Sequence, residues 1–288
     1  MTVITEKTEA IGVKMILSEK EIAELSENIR KIIDGQKIDL RDNREGKFSM
    51  LKNDIHTLAN RLTEQADNSE REKEALRQTL ADISHQIKTP LTSISIMVDL
   101  LADAPFDKQA EFIANIKTVL SRTEWLVSSL LKLAKLESGS VVFSRNKTTV
   151  EELSELALKP LQILLDLKNQ EVEINGGTAF ICDTRWTSEA LTNIIKNASE
   201  YSPVGGRIII GSGENPICKW LSVTDSGKGL QKEEIATLFR RFEGSRSEYG
   251  IGIGLPLSLA IMRRQNGDIE VESTPEGAKF TLKFYFNS

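Results

Sequence analysis

No proline precedes Pro90 in this 288-residue sequence, and no glycine lies between Gly46 and Gly139. The two residue types that most often interrupt helices are thus missing from most of the first half, which favours long helices there and argues against a turn-rich β fold. Fifteen of the 18 glycines fall from Gly139 onward, so the architecture changes near 138–150. Cysteine is nearly absent, and Cys182 and Cys218 stand far apart in apparent strands. That rules out a disulfide scaffold. With no metal-ligand spacing, the two read as small buried hydrophobes in a reducing compartment. Long apolar runs are missing too: none approaches the roughly 18 residues that span a bilayer. The opening MTVITEKTEA has no signal-peptide apolar region. The chain is therefore expected to be soluble, either by itself or as the cytoplasmic portion of a longer membrane protein. A basic excess is also lacking. Net charge is -5, which gives no support to nucleic-acid binding.

What is present is helical periodicity followed by alternation. Residues 17–34 read as a helix, followed by a turn-like DGQKIDLRDNREG. A second helix begins near Phe48, where Leu51, Ile55, Leu58 and Leu62 follow the 4-3-4 spacing of a coiled-coil seam. The seam fades through the polar stretch 63–74 and resumes at Leu76, Leu80, Ile83, Ile87, Ile94, Met97 and Leu101. DAPFD makes a turn. A third helix over about 107–137 carries Phe112, Ile116, Val119, Leu126, Leu130 and Leu133 at heptad-like intervals. Such a hairpin has one broad apolar stripe that it cannot cover alone, so a homodimer closing into a four-helix bundle is expected. Beyond it, a helix over 150–169 precedes strands near 171–175 and 178–183. A helix at 185–201, strands near 207–213 and 217–225, a helix at about 255–265 and a hairpin over 268–286 follow. The fold class is multidomain, α and α+β. A dimeric helical-hairpin four-helix bundle leads into an α/β two-layer sandwich with helices on one face of a sheet.

The sequence holds two histidines. His56 reads as a surface or seam residue. His85 lies in SHQIKTPLTSI, five residues before Pro90, in a helix. Proline has no N–H, so the carbonyl of Gln86 loses its helical partner and a bend is expected. Lys88 and Thr89 fall on the same helical face as His85. A neutral imidazole on an exposed helix is a workable nucleophile near neutral pH, although on these residues alone a bundle histidine beside a kink fits equally well.

SHQIKTPLTSI resembles the phosphoacceptor box of sensor histidine kinases. The resemblance implies that His85 is phosphorylated and that Thr89 positions water for dephosphorylating a response regulator. One position departs: the residue after the histidine is usually Glu or Asp, proposed to accept the imidazole proton, and here it is Gln86, which cannot ionise.

Four later stretches are similar to the same family, in its order. In LTNIIKNASEYSP, Asn193 and Asn197 stand at i, i+4 and share a helix face. Neutral amide oxygens beside phosphates suit Mg²⁺. The resemblance implies that Asn197 coordinates Mg²⁺, with Asn193 beside the phosphates, and Tyr201 also matches. Glu200 departs, standing where the family usually has a phosphate-touching lysine; Lys196 or an arginine is the candidate substitute. In VTDSGKGL, Asp225 ends an apolar strand and precedes Gly227 and Gly229. A carboxylate can accept the adenine amino group, and glycines admit the base. In LFRRFEGS, Phe239 and Phe242 read first as core residues on one helical face. Arg241 matches the family's basic residue between them, and Gly244 replaces a following arginine, with Arg246 nearby. In GIGIGLPLSLAIM, Gly250, Gly252 and Gly254 precede Leu255 and Pro256 at a helix start, a ready anion site. Glu270, 20 residues past Gly250, would suit a dinucleotide fold, but that needs a strand before the glycines. The polar FEGSRSEY reads as a mobile loop, which would make a short lid over ATP.

The resemblance covers roughly 80–286. Residues 1–75 carry no motif of the family, and their helix, turn and helix pattern reads as an N-terminal signalling linker, at most reminiscent of a HAMP-type element; the resemblance implies a dimerisation and histidine phosphotransfer domain at 76–138. A linker at 139–149 and a catalytic ATP-binding domain at 150–288 follow. The implied activity is autophosphorylation of His85 from Mg-ATP and transfer to an aspartate of a response regulator, with phosphatase activity toward it. Gln86 and Glu200 keep open a phosphatase-biased or weakly catalytic relative, and a nucleotide-binding dimeric scaffold is the non-enzymatic alternative.

Overall fold

The computed structural model describes residues 19–34, 36, 38–41, 47–242 and 252–286. The chain divides into two compact units, 1–83 and 84–288.

In the first unit, α1 (Glu19–Ile33) buries Leu25, and the segment after it buries Leu40. Helix α2 (Lys47–Ala102) begins here. His56 is more engaged than a plain surface or seam residue. Its Nδ1 accepts the Leu40 N–H at 3.5 Å, its Nε2 lies 3.1 Å from Asn60 Nδ2, and Asp39 Oδ1 is 3.7 Å away.

In the second unit, α2 runs on through Pro90 to Ala102. Residues 103–105 turn, and α3 (Phe106–Glu137) returns with Pro105 at its N-terminal boundary. Proline there is favourable because the first helical N–H groups have no partner in any case.

The remaining elements form a mixed sheet with helices on one side. They are β1 (Asn146–Thr149), α4 (Val150–Leu158), a 3₁₀ turn at Lys159–Leu161, α5 (Gln162–Leu167), β2 (Glu171–Asn175) and β3 (Ala179–Cys182). Then come α6 (Thr184–Tyr201), β4 (Arg207–Glu214), β5 (Cys218–Thr224), α7 (Lys232–Thr237), α8 (Gly254–Arg264), β6 (Gly267–Thr274) and β7 (Gly277–Tyr285). The main sheet has the order β2-β4-β5-β7-β6, parallel only between β2 and β4. β1 pairs antiparallel with β3 in a separate ribbon.

Two sequence expectations are corrected here, and one element is new. The helix expected over 150–169 is two helices joined by the 3₁₀ turn, because Pro160 cannot donate to the helical ladder. Residues 146–149, read as linker, form β1. The six-residue α7 lies in a stretch with no periodicity to reveal it.

The core follows from period-2 and period-3.6 patterns meeting. Ile208 and Ile210 of β4, Leu221 and Val223 of β5, and Phe280 and Leu282 of β7 face Leu191, Ile194 and Ile195 of α6 and Leu257 and Ile261 of α8. Leu133 and Leu136, at the end of α3, belong to the same core, so the hairpin's second helix is rooted in the sheet domain.

Candidate active site

The α2 segment around His85 lies open. His85, Gln86, Lys88 and Thr89 are all exposed, on a helix whose own backbone bonds hold it. The Thr89 hydroxyl donates to the His85 carbonyl at 3.1 Å, one turn back. The imidazole is therefore presented to solvent, within reach of whatever group is brought to it.

Asp225 sits at the end of β5, 5% exposed. Its Oδ1 accepts the N–H groups of Gly227 at 2.8 Å and Ala278 at 3.0 Å. Among the described residues Oδ2 has no hydrogen bond, which leaves it to accept from an incoming N–H donor. Burial pushes this carboxyl above its ordinary value, opposed by the Ala278 and Gly227 N–H groups. Two glycines make room for this arrangement. A Cβ on Gly277 would meet the Asp225 carbonyl oxygen at 2.1 Å, and one on Gly227 would meet Asp225 Oδ1 and the Tyr201 carbonyl oxygen, each at 2.9 Å. Gly277 and Ala278 escaped the sequence reading. The only signal was the turn TPEG, 50 or so positions past the aspartate, whose partner β5 is fixed by strand pairing.

Helix α6 carries the two asparagines. Asp183 caps its start, with Oδ1 accepting the Trp186 N–H at 3.0 Å. Asn193 is buried, and its Nδ2 donates to the Gly254 carbonyl at 3.3 Å, tying α6 to the start of α8. Asn197 is half-buried, one turn on. Tyr201, at the helix end, is 40% exposed. Glu200 turns toward Lys196, Oε1 to Nζ 3.9 Å, and the same ammonium lies 4.9 Å from the ring centroid of Trp125 on α3. The acid is thus directed along the helix toward a cation.

The glycine-rich entry to α8 is only partly among the described residues. Gly250 lies outside them, as do Gly244, Arg246 and the FEGSRSEY segment beyond Phe242. Gly252 has φ +72°, and a Cβ there would come within 3.0 Å of the Phe242 backbone. The Phe242 N–H donates to the Gly252 carbonyl at 3.0 Å. Gly254 opens α8 against Asn193, Leu255 is buried, and Pro256 occupies the first turn. Gly229, at φ +71°, turns the chain beside Ser273. The expected helical face of Phe239 and Phe242 does not form. Phe239 packs against the core after α7 has ended, whereas Phe242 stands at φ +65°, a region that disfavours bulky residues. Arg241 pairs with Glu137 at the end of α3.

The structure thus gathers Asp225, Gly227 and the Tyr201 backbone at one end of β5, and Asn193, Gly254 and Leu255 where α6 meets α8. His85, Gln86 and Thr89 are on α2, a different element.

A phosphoacceptor-type helical hairpin joined to a mixed-sheet nucleotide domain is the arrangement that the comparisons with known proteins return. Residues 75–139 match the His Kinase A (phospho-acceptor) domain, and residues 182–288 match the histidine kinase-, DNA gyrase B- and HSP90-like ATPase domain. Together they cover more than half of the chain, which belongs to the two-component sensor histidine kinases. The heme sensor protein HssS of Staphylococcus saprophyticus is 30% identical over 215 residues, covering 70% of this chain and 45% of that protein. The solved Acinetobacter baumannii histidine kinase AdeS shares the fold at TM-score 0.62 and 24% identity, covering 71% of this chain and 98% of that one. Histidine kinase ThkA, solved in complex with response regulator protein TrrA, aligns at TM-score 0.62 and 21% identity, covering 78% and 66%. The chain spans about half the length of the curated relatives it matches. Among the described residues, no helix is long and apolar enough to cross a membrane.

Proposed function

We propose that this chain autophosphorylates His85 from Mg-ATP and passes the phosphoryl group to an aspartate of a response regulator, acting as a homodimer on the cytoplasmic side. The observation that carries the reading is Asp225, a buried carboxylate with one oxygen saturated by backbone N–H groups and the other left open beside Gly227. That is the acceptor an adenine amino group needs. The domains assigned to the activity are 76–138 for dimerisation and phosphotransfer and 150–288 for ATP, with 1–75 as an input linker.

In the proposed reaction, Oδ2 of Asp225 accepts the adenine N–H, with Gly227 and Gly229 admitting the base. Tyr201, Phe239, Phe242 and Leu255 bound the nucleotide. The phosphates reach toward Asn193, Gly252, Gly254 and Arg241, with Gly250 completing the glycine entry. The donor set fits a Mg²⁺ ion accompanying ATP: the Asn193 amide nitrogen is committed to Gly254, and half-buried Asn197 offers a neutral amide oxygen. When bound, that ion would neutralise phosphate charge. His85 Nε2 forms the new N–P bond as the bridging β–γ P–O bond breaks and ADP leaves. The imidazole proton goes to solvent, since Gln86 cannot take it. Catalysis rests on positioning and charge neutralisation. In the reverse role, Thr89 orients the water that hydrolyses the regulator's aspartyl phosphate.

The test is incubation of the purified chain with Mg-ATP, followed by assay for acid-labile, alkali-stable phosphate, with His85→Gln as control. Label on the native chain alone supports the kinase reading. No label with intact ATP binding favours the phosphatase-biased reading, and loss of both favours a scaffold.

A further inference from the structure

At the opposite end of the sheet from Asp225 lies a cavity of about 410 Å³. Lys219 lines it at the start of β5, whereas Asp225 follows the end of that strand; six residues at ~3.3 Å each put them roughly 20 Å apart. The same holds along α8: Gly254 is at its nucleotide end, Arg264 at its cavity end. The cavity is therefore separate from the proposed nucleotide site, and the argument for it does not depend on the kinase reading.

Its lining has a consistent chemistry. Phe143 and Phe284 give it apolar walls, and Ile181 stands at its rim 70% exposed. Three basic side chains line it, and no acidic one does. Lys219 is occupied, its Nζ donating to the Ala179 carbonyl at 2.7 Å and lying 3.6 Å from Glu214. Arg145 and Arg264 are exposed, and among the described residues neither makes an ion pair or side-chain hydrogen bond. A guanidinium presents a planar fork of donors suited to a carboxylate or sulfonate. Two such forks without partners, beside an apolar hollow of small-molecule size, match the usual make-up of a ligand site.

We infer that this cavity binds a small amphipathic anion, an aromatic or aliphatic body carrying one carboxylate or sulfonate, with the charge at Arg145 and Arg264 and the body against Phe143 and Phe284. The occupant would touch the segment that joins α3 to β1. That segment is held to the sheet domain by Ser144, whose N–H and hydroxyl donate to Asp183 Oδ2 at 2.9 and 2.8 Å, and by the Phe143 ring, 5.9 Å from that of Trp186. Filling the cavity would hold this connection in its docked arrangement.

The probe is 8-anilinonaphthalene-1-sulfonate, titrated into the full chain and read by fluorescence, beside the uncharged N-phenyl-1-naphthylamine. Expected is one saturable sulfonate site that weakens at least tenfold in the Arg145→Ala/Arg264→Ala double variant, while the uncharged probe changes less than twofold. Ile181→Glu, at an exposed rim position that tolerates substitution, is expected to weaken the sulfonate by a similar factor. Unchanged sulfonate affinity in either variant, or equal losses for both probes, overturns the site.

Discussion

Arg241 and Glu137, 104 residues apart in sequence, form an ion pair that joins the segment before the glycine-rich entry to the last turn of the hairpin. The pair is part of a docked arrangement that also includes Lys132 with Glu189 at 2.7 Å and Lys196 over Trp125. Arg241 cannot serve a phosphate while it serves Glu137. Glu137→Gln should therefore release it and raise the initial rate of His85 labelling. The pair is partly exposed, 29% and 51%, so its strength is about 0.2–1 kcal/mol and the gain about 1.4- to 5-fold. A rate equal to that of the native chain would show that the pair does not restrain Arg241.

Asp225 should separate stability from binding. Its folded-state carboxyl is raised, chiefly by burial, so the ionised form disfavours the folded state. The stability this group contributes is complete below its unfolded value and is lost as pH rises through the raised folded value. Asp225→Asn should consequently melt at a higher temperature than the native chain at neutral pH, the difference closing as pH falls through the carboxylate range. The same variant should bind ATP about 10- to 100-fold more weakly, because a charged acceptor is lost. Calorimetric titration and thermal melts across pH check both halves. A variant that melts lower at neutral pH would contradict the burial argument.

These relationships mark where the sequence stops being readable. Heptads in α2 and α3 and alternation in β4, β5 and β7 are local patterns, so those elements were legible. The strand β1, NKTT, has no apolar alternation; it is a strand because β3 pairs with it, Thr148 opposite Phe180. Pro160 did carry a signal against an unbroken helix over 150–169. Asn193 and Asp225 were legible as site candidates through the resemblance of their stretches to the family's motifs, since spacing and flanking glycines alone also fit surface asparagines and an ordinary turn. The N–H of Ala278 on Asp225, the carbonyl of Gly254 on Asn193 and the pairing of Arg241 were not. Each partner lies 50 or more residues away and is supplied by sheet order or helix packing.

Gln86 is exposed on α2, next in sequence to His85, and cannot ionise to take up the imidazole proton. A general base contributes about 10²–10⁴-fold where it is well placed. Gln86→Glu is expected to raise autophosphorylation about tenfold or more, with the increase developing as pH passes through the glutamate range. An unaltered rate would remove this residue from the account of catalysis.

Asp183 uses both carboxylate oxygens, one to cap α6 and the other to hold Ser144. Burial raises its carboxyl, but the N–H groups of Trp186 and Ser144 and the Ser144 hydroxyl outweigh this, and the net shift is downward. Its stabilisation is therefore present above the ordinary aspartate value and lost as pH falls through the lowered one. Asp183→Ala should cost about 2–4 kcal/mol, a cap plus two charge-assisted bonds. Ser144→Ala should cost less, because the cap survives. Denaturant melts of both variants check the ranking, and equal losses would mean that the cap on Trp186 adds nothing beyond the contact with Ser144.

Leu91 and Val98 lie seven residues apart on α2, and each is 50% exposed. Together with Leu120 and Leu131 of α3, 47% and 59% exposed, they leave the hairpin with more apolar surface than a single copy covers. A second hairpin packing there would bury it. The native chain should sediment as a dimer at micromolar concentration, and Leu91→Lys with Val98→Lys should yield a folded monomer, since neither side chain contributes to the sheet-domain core. A native chain that sediments as a monomer would leave the stripe without its proposed partner. A lysine variant that remains dimeric would place the contact elsewhere on the hairpin.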